Sequence, residues 1–302
     1  MTGANGLPNF FVIGAAKSGT TSLYHYLRQH PQIFMSPIKE PRFFALEGDP
    51  LDWRGPGDER YRAKSITTLD AYRDLFEEVN GEPAVGEASV LYLDHPEAPD
   101  RIARRIPEAR LIAVLRNPAE KAYSSYLFKC RDGDEQLEFE DALRAEPQRI
   151  ADGWYWAWRY RSRGFYHGML RRYFERFDRS QIRVYLYEDF SRDPGGLLTD
   201  AFRFLEVDDG FRPDLKVHYN VSGRPRSPRL QRLLTRSHPV KDAVKSVIPE
   251  DWGHRVIAQL QRPNLMRPAM RPDTRADLLE GYRDDIGRLE ELIDRDLSHW
   301  LR

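Results

Sequence analysis

Residues 10–22, Phe-Phe-Val-Ile-Gly-Ala-Ala-Lys-Ser-Gly-Thr-Thr-Ser, constrain the fold of this chain more than any other stretch. The apolar run from Phe10 to Ile13 predicts a buried strand, and Gly14 breaks it into a turn of small residues. From Thr20 to His30 the pattern is helical, with Leu23, Tyr26 and Leu27 on one face. A strand, a Gly/Ser/Thr turn and a helix start form an anion cradle, because unpaired backbone N–H groups and the positive end of the helix dipole converge there. A phosphate is the usual guest of such a cradle. The plainer reading is a turn of small residues that only closes strand onto helix; Lys17 beside Thr20 and Thr21 argues against it.

The rest of the chain follows an α/β rhythm. Apolar runs at 9–13, 84–87, 110–115 and 182–187 predict buried parallel strands, separated by helical patterns at about 97–106, 118–130 and 165–177. The expected fold is a three-layer, P-loop-like α/β fold with a central, mostly parallel sheet flanked by helices. At 302 residues, one domain over 1–302 is expected. Stretches at 37–64, 131–160 and 211–228, rich in loop-forming or polar residues, mark candidate substrate or lid loops. Within the second, 131–153 reads as a short surface helix between loops. Residues 273–297 read as a helix with Leu278, Tyr282, Ile286, Leu289 and Ile293 on a core-facing stripe and Asp284-Asp285 toward solvent.

Composition excludes several function classes. Forty-seven basic residues balance 47 acidic ones, which gives no case for nonspecific nucleic-acid binding or a polybasic membrane surface. The single Cys130 rules out an internal disulfide framework and a zinc cluster, fits a reducing cytoplasm, and falls in a helical pattern as a packing residue. The first residues lack a signal-peptide pattern, and no apolar run approaches the ~18–20 residues that span a bilayer. A soluble, cytoplasmic, bacterial protein is the expectation. Eight histidines are scattered without ligand spacing, so no metal is implied.

The position of the lysine qualifies the phosphate loop. In a Walker A loop, G-x-x-x-x-G-K-[ST], lysine follows the second glycine. Gly14 and Gly19 have that spacing here, but residue 20 is threonine and the lysine stands at position 17. A second strand–turn–helix follows at 110–124. Asn117 is a good helix cap and Pro118 a good first helical residue, so Arg116 emerges at the strand's carboxyl end with Ser124 about two turns on. A guanidinium fork and a hydroxyl suit a phosphate dianion, although an ion-paired arginine near a solvated serine would show the same pattern.

Taken together, these segments resemble the sulfotransferases that use 3'-phosphoadenosine 5'-phosphosulfate (PAPS), in particular the bacterial and heparan-type family. Lys17-Ser18-Gly19-Thr20-Thr21-Ser22 is similar to that family's 5'-phosphosulfate loop, and Arg116 with Ser124 to its 3'-phosphate motif. The resemblance extends through Gly164-Phe165-Tyr166, Glu188-Asp189-Phe190 and Asp296 to Trp300, and covers nearly the whole chain. It implies PAPS as co-substrate, PAP as product and no metal. It also implies Lys17 as a cation on the leaving phosphate and a basic loop closing near the C-terminus, for which Arg224 is the match.

For the catalytic base, Lys39-Glu40-Pro41-Arg42-Phe43-Phe44 resembles the heparan-type pattern in which a glutamate precedes a Phe-Phe pair. That makes Glu40 the candidate, with Arg42 steering substrate or pairing with a carboxylate. Glu87, at another strand end, is a second candidate; several relatives carry a lysine after it where this chain has Ala88. His95 before Pro96 is a third, as cytosolic aryl sulfotransferases use histidine. The cluster of Trp154, Tyr155, Trp156, Trp158 and Tyr160 with Arg159, Arg161 and Arg163 reads either as an acceptor platform or as a buried lead-in to the next helix. The expected reaction is sulfuryl transfer to a hydroxyl of a glycan, lipid or small metabolite. A P-loop-type kinase and a non-catalytic nucleotide-binding protein are the alternatives. The displaced lysine counts against the first, and the intact Lys17, Arg116, Ser124 and Glu40 against the second.

Overall fold

The computed structural model describes residues 6–215, 224–225, 265–266 and 268–302. Five parallel strands form one sheet: β1 (Phe10–Gly14), β2 (Ile33–Met35), β3 (Ala84–Ala88), β4 (Arg110–Leu115) and β5 (Ile182–Leu186), in the order β2-β3-β1-β4-β5. Side chains alternate across the sheet. Phe11 and Ile13 join Val85, Leu111 and Ala113 in the core on one face, whereas Phe10 and Val12 join Ala84, Ile112 and Val114 on the other. Every residue of β1 is buried, as expected of a parallel strand covered on both sides.

The helices Thr20–Leu27 and Pro194–Phe204 cover the second face with Leu23, Leu27, Leu198 and Phe202. Opposite them pack Ala98–Arg105, Pro118–Asp132, Tyr166–Phe174 and Pro272–Ile293. These four lie close to the expected spans. The fold is thus the anticipated three-layer, P-loop-like α/β arrangement, with a sheet that is wholly parallel among the described residues.

Three details differ from expectation. The edge strand β2 has only three residues, too few for a periodic signal. Residues 131–153 hold a 13-residue helix, Phe139–Ala151, tied into the core by a buried pair in which Arg149 Nη1 donates to Glu135 Oε2 at 2.6 Å. Asp285 is buried rather than solvent-facing, and its Oδ2 accepts from the His167 N–H at 3.1 Å.

The strand order sets the position of the site. From β1 the chain crosses to β2 and β3 on one side and then returns to β4 on the other. The connections leaving β1 and β4 therefore splay apart above the sheet. A crevice at such a reversal is where open α/β sheets bind ligands.

Candidate active site

At the carboxyl end of β1 the backbone turns sharply into the Thr20–Leu27 helix. Lys17 and Gly19 both take left-handed conformations, φ 65° and φ 89°. Glycine is required at the second: a Cβ on Gly19 would lie 3.0 Å from the Phe190 ring. As helix cap, Gly19 offers no side chain to the first turn, and that turn opens onto the cleft through Thr20, Thr21 and Ser22.

The loop after β4 docks against this turn. Arg116 Nη1 donates to the Lys17 carbonyl at 3.2 Å, and its guanidinium lies 4.8 Å above the Tyr187 ring. Asn117 caps the next helix, accepting from the N–H groups of Ala119 at 3.0 Å and Glu120 at 3.3 Å, while its own amide donates to the Trp300 carbonyl at 2.8 Å. Tyr166 donates to the Arg116 carbonyl at 3.0 Å. Arg116 is thereby held on both sides by backbone contacts. Glu188, two residues after β5, accepts from Trp300 Nε1 at 2.6 Å, so the segment around Trp300 closes onto the strand ends.

One cleft of about 620 Å³ gathers Lys17, Gly19, Thr20, Thr21, Ser22, Arg116, Ser124 and Glu40. Ser18 alone of the expected loop residues has its side chain turned away, fully buried, with its hydroxyl unpartnered among the described residues. Arg224 lies on a two-residue strand, Arg224–Pro225, paired antiparallel with Leu265–Met266. Its backbone packs near the Pro118–Asp132 helix that carries Ser124. Its side chain, and the lid expected around it, fall outside the described residues.

Glu40 reaches the cleft from a loop clamped to the end of β3. Its N–H donates to the Ala88 carbonyl at 2.9 Å, and its Oε2 accepts from the Val90 N–H at 3.1 Å. Lys39 Nζ lies 2.7 Å from Oε1 and Arg42 Nε 3.8 Å from Oε2. Burial alone raises this carboxyl, but the charges of Lys39 and Arg42 and the hydrogen bonds from Lys39 and Val90 outweigh it, so the pKa ends below the usual glutamate value. Glu40 is ionised at neutral pH. Arg42 pairs with it from within its own turn, lying 5.5 Å from the Tyr61 ring and 5.7 Å from the Tyr155 ring.

Glu87 and His95 do not line this cleft. Glu87 is fully buried beneath it, hydrogen-bonded by Tyr72 at 3.2 Å and Ser89 at 2.9 Å. His95 packs at 5.5 Å from Trp156, and burial followed by Arg101's charge brings it down to about 4. Ala88 is buried in β3, so the cations on this side of the cleft are Lys39, Arg42 and Arg163. The aromatic segment at 154–163 combines both readings. Trp158 and Tyr160 are core residues, whereas Tyr155 and Ala157 face the cleft, with Tyr155 stacked on Tyr61 at 4.2 Å.

Tyr61, Phe128 and Tyr187 line the cleft without having been singled out. Phe128 sits one turn beyond Ser124 on the same helix face, and Tyr187 is the residue directly after β5, so both signals were present in the sequence. Phe128 holds Lys17 Nζ at 4.2 Å above its ring.

An α/β fold with a lysine-bearing loop after its central strand, an arginine after the neighbouring strand and a carboxylate opposite is suited to group transfer. The chain belongs to the sulfotransferase family, whose model matches residues 8–211. A crystal structure of a sulfotransferase from Alicyclobacillus acidocaldarius is 37% identical, with a TM-score of 0.79, over 98% of this chain and 99% of that one. Bifunctional heparan sulfate N-deacetylase/N-sulfotransferase 3 of Homo sapiens is 25% identical over 98% of this chain but only 31% of its own length. Membrane-associated sulfotransferase kil1 of Dictyostelium discoideum is 34% identical over 40% of this chain and 23% of its own. The chain therefore spans about a third or less of these curated relatives. Among the described residues, no helix is long and apolar enough to cross a membrane.

Proposed function

We propose that this sulfotransferase uses PAPS as donor and transfers its sulfuryl group to a hydroxyl of a glycan, lipid or small-metabolite acceptor. One observation carries the reading: the Lys17 loop, Arg116 with Ser124, and Glu40 converge on a single cleft above three adjacent strands, β3, β1 and β4. The donor set fits a nucleotide with phosphates at both ends of its ribose. The glycine turn and uncapped helix start suit the 5'-phosphosulfate, and the guanidinium and hydroxyl suit the 3'-phosphate. PAPS, when bound, supplies an activated sulfuryl group and a stable leaving phosphate.

The protein's own part is orientation, charge and proton transfer. Glu40, ionised and held by Val90 N–H, takes the acceptor's proton as its oxygen bonds to sulfur. The electron pair of the breaking S–O bond stays on the 5'-phosphate, where Lys17 and the first-turn amides stabilise the added charge. Tyr61, Tyr155, Arg42 and Arg163 wall the acceptor side, which suits a ring-bearing acceptor. Family membership and the lysine at position 17 favour this reading over an ATP-dependent kinase. Mass spectrometry of hydroxylated and amino acceptors incubated with labelled PAPS tests it. Label in a hydroxylated product supports O-transfer, while label confined to amines contradicts it.

A further inference from the structure

Beneath the cleft, the end of β3 and the turn that presents Glu40 share one buried hydrogen-bond network. Glu87, with no exposed surface, accepts from the hydroxyls of Tyr72 at 3.2 Å and Ser89 at 2.9 Å. Ser89 relays this carboxylate to the turn, and Tyr92 holds the turn beside it. Ser89 Oγ accepts the N–H of Arg42 at 2.9 Å, and Tyr92 OH accepts the N–H of Phe44 at 3.3 Å. Those amides open the short Phe43–Leu46 helix, directly after Glu40.

The turn needs such an anchor. Glu40 and Arg42 both adopt left-handed backbone, φ 69° and φ 63°, a strained conformation that persists only where the surroundings impose it. We propose that Glu87 is a positioning residue for the reaction: through the hydroxyl of Ser89 it holds the strained 40–44 turn so that the Glu40 carboxylate faces the cleft. The proposal rests on Glu40 being the base.

Charge is essential to this role. An ionised Glu87 only accepts, so the Ser89 hydroxyl points at it and turns its lone pairs toward the Arg42 amide. A protonated Glu87 donates from one oxygen and accepts more weakly at the other, which loosens its hold on Ser89 and through it on the Arg42 amide. The groups facing Glu87 are Tyr72, Tyr92 and Tyr173, pushed well up chiefly by burial and so still protonated, and the Glu40 carboxylate. Burial lifts Glu87 to about 7, with a further push from Glu40 and against the pull of the hydroxyl hydrogen bonds. Glu40 titrates below the usual glutamate value, so its own limb lies at lower pH.

The test compares Glu87→Gln and Ser89→Ala with the wild-type chain. Both should bind PAP within about twofold of wild type yet lose about 10–100-fold in kcat, as a displaced reacting group does. Wild-type kcat should fall as pH drops through about 7, and Glu87→Gln should lack that limb. Ser89→Ala serves if the first variant does not fold, since it removes the relay and leaves the carboxylate. Wild-type kcat in both variants, or an acid limb still near 7 in Glu87→Gln, overturns the proposal. Glu40→Gln separates the two readings. If it is inactive while Glu87→Gln matches wild type, only the positioning role falls. If it remains active while Glu87→Gln is dead, Glu40 is not the base and both readings fall.

Discussion

At the residue scale, the chemistry sits on backbone that resists its own sequence. Six non-glycine residues among those described have positive φ, and three of them, Lys17, Glu40 and Arg42, line the cleft. Strain concentrated there is what a preorganised site requires, since the neighbours rather than local preference fix these side chains. Glu40→Gln keeps the shape and removes the proposed base. The expected outcome is a kcat loss of about 10²–10⁴-fold with PAP affinity nearly intact, read by turnover and titration calorimetry. Arg116→Ala should weaken PAP by about 1.5–3 kcal/mol, the range for a charge-assisted contact, and Ser124→Ala by about 0.5–1.5 kcal/mol. Unchanged affinity in Arg116→Ala would place the 3'-phosphate elsewhere. These residues were legible because each lies in a short contiguous motif. The anchoring by Glu87 was not, because it depends on hydroxyls from Tyr72 and Ser89 that only the fold brings together.

At the scale of elements, helix starts and buried strands were readable and cross-chain pairings were not. Asn117-Pro118 announced its helix, and the capping contacts are present. The 131–153 stretch looked like surface because its charges are balanced across space, Glu135 with Arg149, and Glu146 accepting from the N–H groups of Arg161 and Ser162 at 2.7 and 2.8 Å. Periodicity cannot reveal such partners. The same holds for Asp58, a fully buried carboxylate in the 37–64 loop. It accepts from Gly55 N–H at 2.9 Å, Tyr155 N–H at 2.8 Å and Trp158 Nε1 at 3.0 Å, and so ties that loop to the aromatic segment walling the acceptor side. Asp58→Ala strands three buried donors at about 1–3 kcal/mol each. It should lower the denaturation midpoint and raise the acceptor KM more than the PAP dissociation constant. Equal effects on both would show that Asp58 supports the whole cleft rather than its acceptor wall.

For the molecule as a whole, fold class followed from the alternation of strands and helices, but strand order did not. Only the order β2-β3-β1-β4-β5 shows why motifs about a hundred residues apart share one cleft: β1 and β4 are neighbours. The proposed site takes two phosphates of one nucleotide and needs no metal. Ligand at about 100 times its dissociation constant adds about 2.7 kcal/mol of stability, so PAP in a chelator should raise the melting midpoint and ATP should not. The most direct measurement is titration calorimetry of PAP and ATP against the wild-type chain and Arg116→Ala, with magnesium chelated. A two-phosphate site should give tight one-to-one binding of PAP, weaker by about 10–100-fold in Arg116→Ala, and little binding of ATP. Preferential binding of ATP, or PAP binding that requires magnesium, would contradict it.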